Sequence, residues 1–240
     1  MLISPILLNF VGYYLTKALR MKANETFDLQ ARLRYVGFEH IVLDGIYGKQ
    51  TAGLLTEYAK QKGIGTTKAK RFLLEETKDA YLYLFIHCSA TIEGVDLDGD
   101  WIKKLHMGRK GWSRTGYSDV IKLDGTIDNV WDYDADGKVE AYEYTWGVKG
   151  RTMLNRNSRH ICYIGGLDKR KKAKDTRTPE QLDTMEAYVK TQIAMNPNIV
   201  VLGHNQVQYK GCPCFEVYDW CQEVGIDKHN VTKTKFNKIS

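Results

Sequence analysis

The sequence predicts an α/β protein: a central mixed β-sheet flanked by helices, preceded by a small N-terminal three-helix bundle. Three observations carry this. Apolar runs of strand length recur at Tyr81–Ile86, Ile161–Ile164 and Ile199–Leu202, and histidine, glycine or turn residues bound them. Stretches with helical apolar spacing alternate with these runs, as in layered α/β domains. Ahead of them, three helical stretches fall within residues 1–66.

The composition agrees. The chain has 240 residues, 43% hydrophobic and 27% charged, with only 4 Pro. That is enough for one large domain or two smaller ones with a real core. The net charge of +6 is uneven: residues 1–74 hold 11 Lys/Arg against 5 Asp/Glu, and the remainder holds 24 of each. A basic front half on a neutral rear half suits a module that seeks a polyanion. Five cysteines, an odd number without framework spacing, argue against a disulfide-stapled domain and for synthesis in a reducing compartment.

Taken in order, Ile6, Leu7, Phe10, Val11, Tyr14, Leu15 and Ala18 share one helical face, with Ser4-Pro5 as cap and first turn. This apolar start lacks the basic residues of a signal peptide and is too short to span a bilayer, so it reads as a core-facing helix. A second helix starts near Thr26 and stops at Gly37; a third runs from Gln50 to Lys62. Between them Asp44-Gly45-Ile46-Tyr47-Gly48 predicts a tight loop packing one ring inward. Residues 67–79 are a polar, basic connector, helical in part over Lys68–Thr77. The expected division is therefore a helical domain at 1–66, a linker at 67–79, an α/β domain at 80–226 and a basic, frayed tail at 227–240.

In the rear domain a strand ends on His87, a helix covers Asp98–Met107, and a strand at Gly116–Leu123 closes on Asp124-Gly125. Lys169–Lys174 is a charge run on a solvated loop. Thr178-Pro179-Glu180-Gln181 is a capping-box start for a helix reaching Met195. A last helix covers Val217–Val224 and stops at Gly225.

The chemistry gathers at strand ends. His87 and His204 each follow an apolar run, and Cys212 lies in the loop after His204. Two imidazoles and a thiolate can hold Zn2+ and leave its fourth position open. Cys214 is an alternative thiolate, and His106 and His160 are competing ligands. Tyr117 and Lys210 could orient a water and stabilise an oxyanion, although a core tyrosine and a surface lysine are the plainer readings. Separately, Asp132, Asp134, Asp136 and Glu143, with Gly137 at the sixth position, match a twelve-residue Ca2+ loop, or else a turn at Asp136-Gly137.

Two resemblances sharpen this. Phe27–Leu33, Gly37-Phe38 and Leu43–Thr51 resemble the three-helix peptidoglycan-binding domain of cell-wall hydrolases. The segments Phe85–Thr91, Arg109–Tyr117, Ile121–Ile127, Asn157–Gly166 and Gly203–Pro213 resemble, in order, the zinc-dependent N-acetylmuramoyl-L-alanine amidases related to peptidoglycan recognition proteins. That resemblance implies His87, His204 and Cys212 as zinc ligands, the cysteine being the one before the proline. It implies Tyr117 and Lys210 as catalytic groups and Arg109 and Trp112 as substrate contacts. The implied protein is a monomeric phage endolysin with peptidoglycan as partner. It would bind no nucleic acid, be made in the host cytoplasm without a signal peptide and reach the wall after holin-type release. The alternatives are a bacterial remodelling or recycling amidase and a non-catalytic peptidoglycan binder. Cys88 departs from the family, which often has a His or Asn after the first ligand.

Overall fold

A computed structural model describes residues 22–236; the helix expected around Ile6–Ala18 lies outside them. Helices α1 (Ala23–Tyr35), α2 (Lys49–Gln61) and α3 (Thr66–Glu76) precede the sheet. The sheet comprises β1 (Tyr83–Cys88), β3 (Asp119–Ile121), β4 (Ile127–Asn129), β5 (Ser158–Tyr163) and β7 (Val200–Gly203), in the order β4-β3-β5-β1-β7. Strands β3, β5, β1 and β7 are parallel and β4 is an antiparallel edge, so the sheet is mixed, as expected. A short parallel pair, β2 (Thr91–Ile92) with β6 (Gly166–Leu167), follows two of these strands.

Between the strands, α4 (Gly99–Lys103) is capped by Asp98, which accepts from the Trp101 amide at 2.8 Å. It continues as a π-helical turn over Lys104–Arg109. Helix α5 covers Thr152–Arg156. Helix α6 (Pro179–Met195) opens with the expected capping box between Thr178 and Gln181. Helices α7 (His204–Val207) and α8 (Val217–Glu223) complete the set.

Alternation along β1 sends its side chains to two faces. Tyr83 and Phe85, with Val200 and Leu202 of β7, join one core with Phe27, Leu29, Leu33, Tyr58 and Leu73 of the helices. Leu84 and Ile86 face the other way, onto Met185 and Val189 of α6. Ile102 of α4 packs on Val120, Cys162 and Ile164 of β3, β5 and its following loop. His87 follows Tyr83 and Phe85 on their face of the strand.

The glycine loop is explained by one side chain. Gln30 of α1 donates to Asp44 Oδ1 at 2.8 Å and Thr51 Oγ1 at 3.1 Å, and accepts from the Gly45 amide at 2.9 Å. The peptidoglycan-binding-like motif is thus, locally, a device for closing this loop. As expected, the loop packs one ring inward: Tyr47 lies partly buried against the core, while Ile46 is exposed.

The helix expected over Lys68–Thr77 is present as α3, and it packs on α1 and α2 instead of serving as a linker. Beyond it, Asn157 donates to the carbonyls of Lys78 and Ala80 at 3.0 and 2.7 Å. The stretch after 227 is not frayed through 236: Val231 bridges to Val201, and buried Phe236 meets Phe27 at 4.1 Å between ring centroids. A single apolar residue near the chain end gives no sequence periodicity, which is why this packing was not legible.

The bundle is pinned to the sheet by Arg32. Its buried guanidinium holds Asp28 at 2.8 Å, the Thr77 carbonyl at 2.7 Å and Asn157 Oδ1 at 2.7 Å. Asp28 also accepts from the Tyr83 hydroxyl at 3.0 Å. Removing one partner of such a buried pair typically costs about 3 kcal/mol or more. Arg32→Ala is expected to lower the unfolding free energy by that order in urea titrations. A loss below about 0.5 kcal/mol, the scale of an ordinary surface change, would contradict this role.

Candidate metal centre

His87 sits one residue before the end of β1, fully buried, and His204 opens α7 directly after β7. Because β1 and β7 are adjacent and parallel, their ends bring the two rings together. The Nδ1 atoms are 3.1 Å apart, and Cys212 Sγ is 3.7 Å from His87 Nδ1. One ligand atom from each residue lies within 4.8 Å of the others. A tetrahedral zinc with Zn–N near 2.0 Å and Zn–S near 2.3 Å would separate two nitrogens by about 3.3 Å and nitrogen from sulfur by about 3.5 Å. The donor triangle fits that ion.

The hydrogen bonds fit it too. Gln208 Nε2 donates to the Lys149 carbonyl at 2.6 Å, which turns its Oε1 toward His204 Nε2 at 2.8 Å. His204 therefore carries its hydrogen on Nε2 and presents a bare Nδ1. The Cys88 amide donates to Cys212 Sγ at 3.3 Å. Burial, reinforced by the charges of His204, His160, Lys210 and His106, holds His87 well below its ordinary range. Burial and Lys210 lower His204 to about 4, against the tempering bond to Gln208. Both rings are thus neutral near pH 7, as metal ligands must be.

Cys214 does not join this group. Its sulfur lies 3.6 Å from Cys88 Sγ. His160 lies behind His87, with its Nδ1 3.0 Å from His87 Nε2, on the side of the ring away from His204. It cannot share an ion with His87 Nδ1. His106 is used elsewhere: its Nδ1 accepts from the Gly116 amide at 3.1 Å, and its ring stacks on Trp112 at 4.7 Å.

That stack shapes the loop delivering Tyr117, whose ring centroid is 5.1 Å from that of His87. Burial and the nearby Cys162, Cys212 and Cys88 thiols raise the Tyr117 phenol well above its ordinary range, so it keeps its proton. Trp112 is half-buried, with Lys110 4.9 Å over its ring and Trp146 6.4 Å away. Arg109 is exposed at the end of the π-turn. Lys210 is exposed, yet its charge reaches both His87 and His204. It lines an open cleft of about 510 Å³ with Tyr209, Gly211, Cys214 and Phe215.

The acidic loop is built differently from the expected calcium loop. Asp134, Glu140 and Glu143 place carboxylate oxygens within 4.8 Å of one another, whereas Asp132 and Asp136 stand outside that group. Asp136 accepts from the Lys138 amide at 2.9 Å and pairs with its ammonium at 3.4 Å. Buried Glu143 accepts from the Asp134 and Glu140 amides at 2.7 and 2.9 Å. No helix flanks the loop among the described residues. Glu143 therefore helps to close the loop on itself.

No family model matches the chain. Curated relatives do. The endolysin of Escherichia phage T7 is 31% identical over 153 residues, spanning 64% of this chain and 91% of the relative. That of Enterobacteria phage K11 is 31% identical over 136 residues, spanning 57% and 82%. This chain belongs to the phage endolysins. It is accordingly a peptidoglycan-hydrolysing enzyme, and roughly a third of the chain lies outside the match to the T7 relative. Among solved structures, the Ph2119 endolysin from a Thermus scotoductus bacteriophage is 18% identical and covers 62% of this chain and 86% of its own, with a TM-score of 0.47. N-acetylmuramoyl-L-alanine amidase LysC from Clostridium intestinale is 19% identical, covering 62% and 88%, with a TM-score of 0.45.

Gln208 was missed in the sequence, and His160 was read there only as a competing ligand. Gln208 stands four residues after His204, a spacing that brings side chains together on a helical turn and could have been read. His160 depends on strand register, which the sequence does not display.

The neutral histidines predict an acid-labile fold. Unfolded, each would titrate near its ordinary value of 6.5; folded, His204 does so near 4 and His160 near 3. The unfolded chain binds more protons between these values, so stability is full above about pH 6.5 and falls as pH drops toward 4 and below. His204 alone contributes on the order of 3 kcal/mol. The Tm of metal-free endolysin is expected to fall steadily from pH 7 to pH 4. A flat Tm over that range would contradict the neutral assignment.

Proposed function

We propose that the endolysin hydrolyses the amide between the lactyl group of N-acetylmuramic acid and L-Ala of the stem peptide, with zinc held by His87, His204 and Cys212. The observation that carries this is the triangle of two neutral imidazole nitrogens and one sulfur, spaced for a tetrahedral ion. Three protein donors are the number a catalytic zinc takes, leaving one position for reaction. Zinc there would supply water activation, lowering its pKa to about 7, and polarisation of the scissile carbonyl.

The chain's own residues supply the remainder. Tyr117 keeps its hydroxyl proton at neutral pH and can donate to negative charge developing on the carbonyl oxygen. Lys210 adds a positive charge that reaches His87 and His204 without burial cost, since it stays exposed. Trp112, stacked on His106, offers an apolar face beside Tyr117 for the substrate, and Arg109 a cation for its carboxylates. Release through a holin-type lesion would bring the enzyme to the wall from the host cytoplasm. Among the described residues no helix is long and apolar enough to cross a membrane.

Zymography on purified sacculi tests the metal reading. A strong chelator is expected to abolish lysis and added zinc to restore it. Cys212→Ser is expected to lose both bound zinc and lysis, whereas Cys214→Ser keeps them. Chelator-resistant lysis, or a fully active Cys212→Ser, would overturn the mechanism. Tyr117→Phe is expected to reduce kcat by about 10²–10³, the typical cost of one oxyanion donor. A Tyr117→Phe rate within twofold of the parent would remove Tyr117 from the mechanism.

A further inference from the structure

His160 is the one fully buried histidine whose ring the proposed mechanism leaves unused. It lies on β5 opposite Phe85 of β1, and its ring stacks on Phe85 with centroids 5.3 Å apart and planes 12° apart. Its Nδ1 is 3.0 Å from His87 Nε2, while its Nε2 is buried and has no protein partner. A chain seldom buries such an orphan unless the other end of the group is needed.

The surroundings make room for this ring. A Cβ on Gly147 would come within 2.2 Å of His160 Nδ1 and 2.6 Å of its Cγ. Gly147 is not among the glycines with positive φ, so it is required here for space rather than for conformation. Its loop is fixed on both sides. The Trp146 amide donates to the Thr115 carbonyl at 3.0 Å, and Val148 exchanges two hydrogen bonds with the Asn155 side chain at 3.0 and 2.9 Å.

We propose that His160 is a positioning residue for the metal centre. It accepts a hydrogen bond from His87 Nε2–H and so selects the tautomer that leaves His87 Nδ1 bare for the metal, with Gly147 as the cradle of its ring. This rests on the zinc reading above. The logic is one of hydrogen placement. Gln208 fixes His204 with a bare Nδ1, so a hydrogen on His87 Nδ1 would simply bridge the two rings and occupy the ion's place. An acceptor behind His87 draws the hydrogen to Nε2 instead. Partners of this kind, on the far nitrogen of a ligand histidine, orient the ring and raise its basicity.

The test compares His160→Asn, which keeps an acceptor, with His160→Leu, which keeps apolar volume against Phe85 but offers none. Zinc affinity is measured by competition with a chelating dye, and the site is read from the absorption spectrum of the Co2+-substituted protein. Tm in chelator confirms folding. His160→Leu is expected to lose about 10–100-fold in zinc affinity, the usual effect of losing such a partner, with an altered Co2+ spectrum. His160→Asn is expected to recover most of the affinity and the parental spectrum. A folded His160→Leu that binds zinc like the parent, or an Asn variant no better than Leu, would overturn the proposal. Should neither variant fold, nitrogen-15 NMR of the zinc-loaded parent decides. A coupling between His87 Nε2 and His160 Nδ1 across the hydrogen bond supports the proposal, and a His87 protonated on Nδ1 overturns it. Failure of the parent itself to take up zinc would overturn the metal reading and this inference together. Failure confined to the variants would overturn this inference alone.

Discussion

Two imidazole nitrogens facing each other 3.1 Å apart, with a cysteine sulfur 3.7 Å from one of them, are the constraint around which this protein is arranged. Bare lone pairs at that distance repel. Either a hydrogen or a cation must stand between them, and the bond from His204 to Gln208 removes that ring as a source of the hydrogen. Burial keeps both rings uncharged, so the site offers neutral nitrogen donors and a single sulfur. A divalent ion held by such a set keeps a net positive charge when the sulfur is a thiolate, and so remains an effective Lewis acid.

The fold exists to hold that geometry. Adjacent parallel strands β1 and β7 end together, so His87 and His204 arrive from backbones already fixed by ladder hydrogen bonds. The same sheet face that carries His87 is covered by α1 to α3 further down the strands, through Tyr83 and Phe85. Arg32, Asp28, Tyr83 and Asn157 lock that cover in place through buried charge-assisted bonds. The helical module therefore shares its core with the sheet that carries the site.

Much of this was legible in the residues. The strands ending at His87 and before His204, the capping box at Thr178 and the pairing of His87, His204 and Cys212 all rest on local patterns, and local patterns survive folding. What was not legible depends on register or on single distant contacts. His160 reads only as a competing ligand until β5 is set beside β1 and its ring falls behind that of His87. Phe236 gives no sign that it will meet Phe27. The acidic loop was legible in part. Its spacing singled out Asp134 and Glu143, but Glu140 beside them and the amides that Glu143 accepts from depend on how the loop folds.

The central claim is that this endolysin cuts one bond, the amide at the lactyl group. The direct measurement is product analysis after exhaustive digestion of defined sacculi with the zinc-loaded enzyme. The account predicts free stem peptides with new L-Ala amino termini, and glycan chains whose number of reducing ends is unchanged. New reducing ends, or cleavage between stem-peptide residues with L-Ala still attached to the glycan, would contradict it.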